Sequence, residues 1–205
     1  SDLHFPGGAY DNKIYCKFSK KNIEKKLQNK TAFCEEFHLK CGQRQMLLGV
    51  VTELSEKNGA DLFAEILEGI ASLNVYLAIR ARGSEKMQKL LKEFSLAHPG
   101  QVVILEDNEE NIRKILAATD TSFFFSGKEG DTELIQAALS YASLPIAPEL
   151  LSDFVQNYNP NQESGTGFLF ENLDRWSAFA ALVRAHENFR FPYDWKVIQK
   201  SAIEA

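Results

Sequence analysis

Apolar positions along the chain fall into two alternating kinds of run. Short continuous runs occur at 46–51 (MLLGVV), 74–81 (NVYLAIRA), 101–105, 121–125 (TSFFF), 144–147 and 167–170 (GFLF). Their length and their branched or aromatic content predict strands buried on both faces. Between them apolar residues recur at helical spacing, as in Leu62, Ile66, Leu67 and Ile70, or Ile112, Ile115 and Leu116. Ser84 and Asn108 stand where helix caps are expected, and Pro99-Gly100 where a helix should stop. Further helices are predicted over 132–142, around 176–187 and around 193–203. A helix from Ser19 to about Leu39 is predicted from Ile23, Leu27, Phe33 and Phe37. Its other side carries Lys20, Lys21, Lys25, Lys26 and Lys30 and reads as a solvated basic face.

Strands alternating with amphipathic helices imply a parallel sheet covered on both sides. Right-handed crossovers then favour an α/β, Rossmann-like doubly wound layout. Residues 1–18, with the turn signal Pro6-Gly7-Gly8, read as an irregular lead-in, and 19–205 as one domain. The polar loop 156–164 (QNYNPNQES) does not mark a boundary. Ligands of open parallel sheets bind at the carboxyl ends of strands, which directs attention to loops 52–59, 82–84, 106–108, 126–132, 148–153 and 164–166.

Composition narrows the function classes. With 205 residues, 44% apolar and 25% charged, the chain can bury a sizeable core. A net charge of −5 offers no general footprint for nucleic acid or an anionic membrane surface. No apolar run approaches the ~20 residues of a membrane helix. Three cysteines, Cys16, Cys34 and Cys41, lack a framework spacing and suggest a reducing, cytoplasmic setting. His4, His38, His98 and His186 are scattered, so no metal site is expected. No GxGxxG follows the first strand, which argues against a dinucleotide enzyme. Phe123, Phe124 and Phe125 read as sheet core, and Trp176, Phe179 and Trp195 as packing for the terminal helices.

Several segments, in order, resemble the C-terminal half of bacterial glycogen and starch synthases. Residues 48–62 (LGVVTELSEKNGADL) resemble that family's GRLxxQKGxDL strand and loop. Residues 97–102 (AHPGQV) resemble ARHPGRV, and 113–120 (RKILAATD) resemble HRIYAGAD. Asp131 to Leu134, leading to Leu144-Pro145-Ile146, follows the family's next helix and strand, and 165–170 (GTGFLF) is the best match. Residues 28–33 (QNKTAF) resemble the ANKxxLQ helix before the first strand, so the resemblance spans roughly 22–203. It implies the second Rossmann-like domain of a GT-B glycosyltransferase, which holds ADP-glucose or UDP-glucose for metal-free transfer to an α-1,4-glucan. No cofactor is expected.

The resemblance also assigns positions. The family's catalytic-site Glu falls on Glu129, and a retained donor-binding set would be Lys57, Gly59, Thr132, Gly165, Thr166 and Gly167. The family's phosphate-binding Arg and Lys, however, fall on Glu53 and Asn58, with Lys57 one residue away. Its glycine-rich phosphate turn falls on Pro148 to Asp153, which has neither glycine nor arginine. Arg80 and Arg82 lie near the turn after the second strand, and Asp131 reads as an N-cap that would compete with a phosphate for helix amides. The expectation is a catalytically degenerate glycosyltransferase domain serving as a binding, regulatory or assembly module. It would meet a nucleotide-sugar, a glucan, a partner protein or a further domain. The alternative is the donor-binding half of an active glucosyltransferase whose N-terminal half lies outside this chain.

Overall fold

The structure, a computed structural model, describes residues 3–127 and 131–205. Six strands, β1 (Leu47–Val50), β2 (Tyr76–Arg80), β3 (Val102–Leu105), β4 (Thr121–Phe123), β5 (Leu144–Pro148) and β6 (Phe168–Phe170), form one sheet. Every neighbouring pair is parallel, in the order β3-β2-β1-β4-β5-β6. Seven α-helices accompany them among the described residues: α1 (Lys26–Glu36), α2 (Ala60–Ser72), α3 (Glu85–Ala97), α4 (Glu109–Ala118), α5 (Asp131–Ser140), α6 (Arg175–Phe189) and α7 (Pro192–Glu204). This is the Rossmann-like doubly wound α/β arrangement that the alternating pattern predicts.

The strands are short and apolar because both faces are covered. β1 and β5 are buried at every position, and Phe123, Phe124 and Phe125 are at most 1% exposed. Helices α1 and α4 pack together, as do α2 with α6 and α5 with α7. The predicted caps form: Ser84 accepts from the Met87 amide and Asn108 from the Asn111 amide, each bond worth roughly 1 kcal/mol to its helix. The strand order reverses between β1 and β4, so the connections that leave their carboxyl ends run to opposite faces of the sheet, the point at which folds of this kind form a ligand crevice.

Three expectations need correction. The first helix is not continuous from Ser19: a 3-10 turn over Lys20–Lys25 precedes α1, which stops at Glu36. Its basic face is not wholly solvated. Lys26 and Lys30 are 4% and 3% exposed. The Lys26 ammonium donates to the carbonyls of Leu116, Ala117 and Tyr141 at 3.0, 2.8 and 2.7 Å. Lys30 donates to the Gln43 and Gln45 carbonyls and pairs with Asp120 at 2.8 Å. A helical lysine whose partners come from distant turns looks in sequence like any surface lysine. Trp176, expected to pack, is 73% exposed and lies against the Arg175 guanidinium, 4.8 Å from its ring centroid.

Residues ahead of the first helix follow an irregular path but are tied down. The Gly8 amide bonds the Ser140 carbonyl, and Asp11, fully buried, accepts from Tyr141 at 2.6 Å and Arg113 at 3.3 Å. No helix among the described residues is long and apolar enough to cross a membrane.

Candidate functional site

The chain leaves β1 through Val51 and Thr52 and leaves β4 through Phe124 to Gly127. Two features hold these exits together. Gly59 starts α2 with φ +79°, and a Cβ there would lie 2.6 Å from the Phe125 Cβ and 2.9 Å from its carbonyl oxygen. Only glycine accepts both the left-handed backbone and that approach. Asp131, the first residue of α5, is 4% exposed and accepts from the Thr52 hydroxyl at 2.6 Å and the Ser126 hydroxyl at 2.9 Å. It lies inside the helix, not at the N-cap position expected for it, and its carboxylate links the ends of β1 and β4. Burial pushes this carboxyl above its usual value, and the two hydroxyl donors only partly offset that.

Next to the crevice, beyond β1 and β2, runs a charged chain. Arg80 bonds Asp107 at 2.6 Å and the Val51 carbonyl at 3.0 Å. Arg82 reaches Asp107 at 3.2 Å and Glu53 at 3.4 Å. Burial alone would raise the Asp107 carboxyl, but the two guanidiniums hold it below its ordinary value. Glu53 is therefore not a lone negative charge. It shares Arg82, though both side chains are about half exposed, so the pair contributes at most ~1 kcal/mol.

The residues expected to hold a donor are divided. Lys57 is exposed in the turn after β1 and Gly59 follows it; Thr132 is in the first turn of α5 and half-buried. These three flank the crevice. Gly165, Thr166 and Gly167 do not, because they precede β6 and so lie at the amino end of a parallel sheet. A Cβ on Gly167 would fall 2.5 Å from the Pro145 carbonyl oxygen, and one on Gly165 would strike the Tyr158 backbone. Thr166 is used locally: its hydroxyl accepts from the Gln156 amide at 2.9 Å. The GTG run clasps the 156–164 loop, through the Gln156 carbonyl and the Tyr158 amide. Glu129 lies outside the described residues.

After β5 the chain makes a 3-10 turn, Glu149–Leu151. Leu151 is buried, whereas Leu150 is 58% exposed and lies over Gly127, in the space a Cβ on that glycine would need. The segment matched to the family's glycine-rich turn thus packs a leucine against the β4 exit.

No family model matches the chain. It is 32% identical to glycogen synthase 1 of Synechocystis, over 100% of this chain and 44% of that protein. The glycogen synthase of Trichodesmium erythraeum is 30% identical over 97% of this chain and 44% of its own length. The chain belongs to the glycogen synthase family and corresponds to its C-terminal portion. It spans under half the length of the curated relatives it matches. Among solved structures, the catalytic domain of Arabidopsis thaliana starch synthase IV superposes with a TM-score of 0.85 at 21% identity, over 97% of this chain and 43% of that one. TarM superposes with a TM-score of 0.63 at 16% identity, over 80% of this chain and 32% of its own. These structural likenesses establish the fold, half of a GT-B glycosyltransferase.

Two features of the site escaped sequence reading: the Thr52–Asp131–Ser126 link and the Arg80–Asp107–Arg82–Glu53 chain. The first had a signal. In a doubly wound sheet the first strand neighbours the fourth, so polar residues directly after the first and fourth apolar runs should meet. The second had none, since Asp107 follows β3 and nothing in its spacing marks it as a partner for Arg80.

Proposed function

We propose that this glycogen-synthase-family domain no longer holds a sugar-nucleotide diphosphate productively, and that it serves as a binding, regulatory or assembly module. The observation that carries this reading is Asp131. A helix N-terminus at a strand crossover is a natural place for phosphate, because its free amides and dipole favour negative charge. Here a buried carboxylate already occupies the start of α5, hydrogen-bonded to Thr52 and Ser126. A diphosphate brought to the same place meets like charge in a poorly screened site. Glu53 and Asn58 at the matched cation positions and Leu150 over Gly127 point the same way. Loss of this constellation removes the charge neutralisation that departure of a nucleoside diphosphate requires.

The second reading is the donor-binding half of an active α-1,4-glucan glucosyltransferase, working in the cytoplasm with an N-terminal half not present here. Lys57 favours it, as an exposed cation one residue from the matched lysine position, and so does the close superposition on a starch synthase solved with ADP and acarbose. Calorimetry with ADP, UDP and their glucose conjugates separates the two. The degenerate domain gives no saturable heat at millimolar nucleotide. Micromolar binding of ADP or ADP-glucose sinks the claim of a lost diphosphate site and favours the second.

A further inference from the structure

At the amino end of the sheet, opposite the crevice, is a cavity of about 590 Å³. One wall is α1, another is the turn before β1, and the third is the bend between α6 and α7. Its charge is out of keeping with a chain of net charge −5. Arg44, Arg190 and Lys196 line it, are exposed, and form no salt bridge among the described residues. The lysines deeper in the wall, Lys26 and Lys30, are consumed by carbonyls and Asp120 and serve the fold. Of the two acidic lining residues, Asp120 is paired with Lys30 and Glu24 is exposed. Three unpaired cations therefore face one unpaired carboxylate.

The remaining lining is largely apolar and includes two aromatic rings, with donors interspersed. Phe189 and Trp195 meet edge to face at 5.2 Å, and Pro192 and Leu27 stand beside them. The Trp195 indole N–H is buried and has no hydrogen-bond partner, which is uncommon for an interior polar atom. Gln43 and Gln199 add amide donors and acceptors. A cavity of this size suits a small metabolite better than a bare inorganic ion. We infer that this amino-end cavity binds an organic phosphate monoester, with Arg44, Arg190 and Lys196 on the phosphate and the Phe189–Trp195 side against the ring-shaped body. Guanidinium groups suit a phosphate because their fork matches two of its oxygens. The inference is independent of what occupies the crevice, since the two sites lie at opposite ends of the strands.

The two tryptophans make the test direct. Trp195 lines this cavity, whereas Trp176 is exposed at the start of α6, beyond the carboxyl end of β6. Amide-proton spectra of the 15N-labelled chain resolve two indole signals. They are followed while glucose 6-phosphate, adenosine 5′-monophosphate or inorganic phosphate is added. A saturable shift of the Trp195 signal is expected with at least one organic phosphate, at lower concentration than inorganic phosphate needs, with Trp176 unmoved. The triple variant R44Q/R190Q/K196Q keeps its melting temperature and loses at least about tenfold in affinity. Arg44→Gln alone, remote from the helix bend, loses about threefold. Absence of a saturable Trp195 shift overturns the proposal. So does equal response to inorganic phosphate, or undiminished binding by the triple variant.

Discussion

The two ends of the sheet differ in how completely their buried charges are matched. At the amino end the buried cations are saturated: three carbonyls surround Lys26, and Lys30 has two carbonyls and Asp120. At the carboxyl end Arg80 is matched in the same way by Asp107 and the Val51 carbonyl, but the buried carboxylate Asp131 has hydroxyls for partners and no cation beside it among the described residues. Complete partners make a buried charge tolerable, although burial still pulls Lys26 below its ordinary value, and a buried charge without them is destabilising. The amino end has the character of a folding anchor, joining α1, the turn before β1 and the residue before β4 through Lys30 and Asp120. The carboxyl end carries an energetic cost that neighbouring structure offsets, and it is the end where relatives of this fold bind ligands.

The sharpest way to break that comparison is to remove a partner at the anchored end. Asp120→Ala leaves the Lys30 ammonium buried without a counter-charge and frees the Leu47 amide, which now donates to Asp120 at 2.8 Å. A loss of about 3–5 kcal/mol is expected in urea unfolding, a large part of a domain's total stability. Asp120→Asn, which keeps an acceptor, should lose clearly less. Equal stability of all three proteins would mean that the pair is not the anchor described.

Lys26 yields a related prediction with a definite pH signature. Burial, with a smaller contribution from Lys30, pushes its ammonium down to about 7 against the opposing pull of Asp120. An unfolded lysine titrates at 10.5. Between those values the unfolded chain binds more protons, so unfolding becomes harder as pH rises. The stability of the wild type relative to Lys26→Met should climb from about pH 7 and level off above the unfolded value. The variant itself leaves three interior carbonyls without their donor, costing about 1–3 kcal/mol near neutral pH. A flat difference across the range would show that the group is not buried as a titrating ammonium.

At the crevice the effects are smaller and of opposite sign for charge. Gly59→Ala puts a methyl group against Phe125 at a left-handed backbone position and should cost about 1–3 kcal/mol. Asp131→Asn removes a carboxyl whose folded value is raised by burial. For such a group the folded state holds the extra proton, so stability is highest below the unfolded value and is lost as pH rises through the folded one. The Asn variant should lack that decline and equal or exceed the wild type near neutral pH by up to about 1 kcal/mol. A variant markedly less stable than wild type at neutral pH would mean that the carboxylate is needed as an anchor, erasing the contrast between the two ends.

The layout of strands and helices was legible because apolar period and length determine it: each run from 46–51 to 167–170 coincides with an observed strand to within one or two residues at either end. Caps were legible at Ser84 and Asn108 because capping acts over three residues. What escaped was set by contacts distant in sequence. Lys26 reaches Tyr141 across 115 positions, and Thr52 reaches Asp131 across 79. The family likeness supplied positions such as Gly165 to Gly167, where close approach of the Tyr158 backbone and the Pro145 carbonyl by itself calls for glycine. A motif conveys which residues recur and leaves open whether packing or chemistry requires them.

The smallest effect concerns Glu53, the residue whose sign most suggested lost donor binding. Its partner Arg82 keeps Asp107 when Glu53 is neutralised, and both members of the pair are about half exposed. Glu53→Gln should therefore change stability by no more than about 0.5 kcal/mol. Its use is functional: the change leaves Arg82 with one acidic partner fewer near the crevice while Asp131 remains. If Asp131 is what excludes a diphosphate, Glu53→Gln stays without measurable affinity for ADP in calorimetry, and pairing it with Asp131→Asn is needed before any appears. Binding gained by Glu53→Gln alone would move the obstacle from the buried carboxylate to the exposed one.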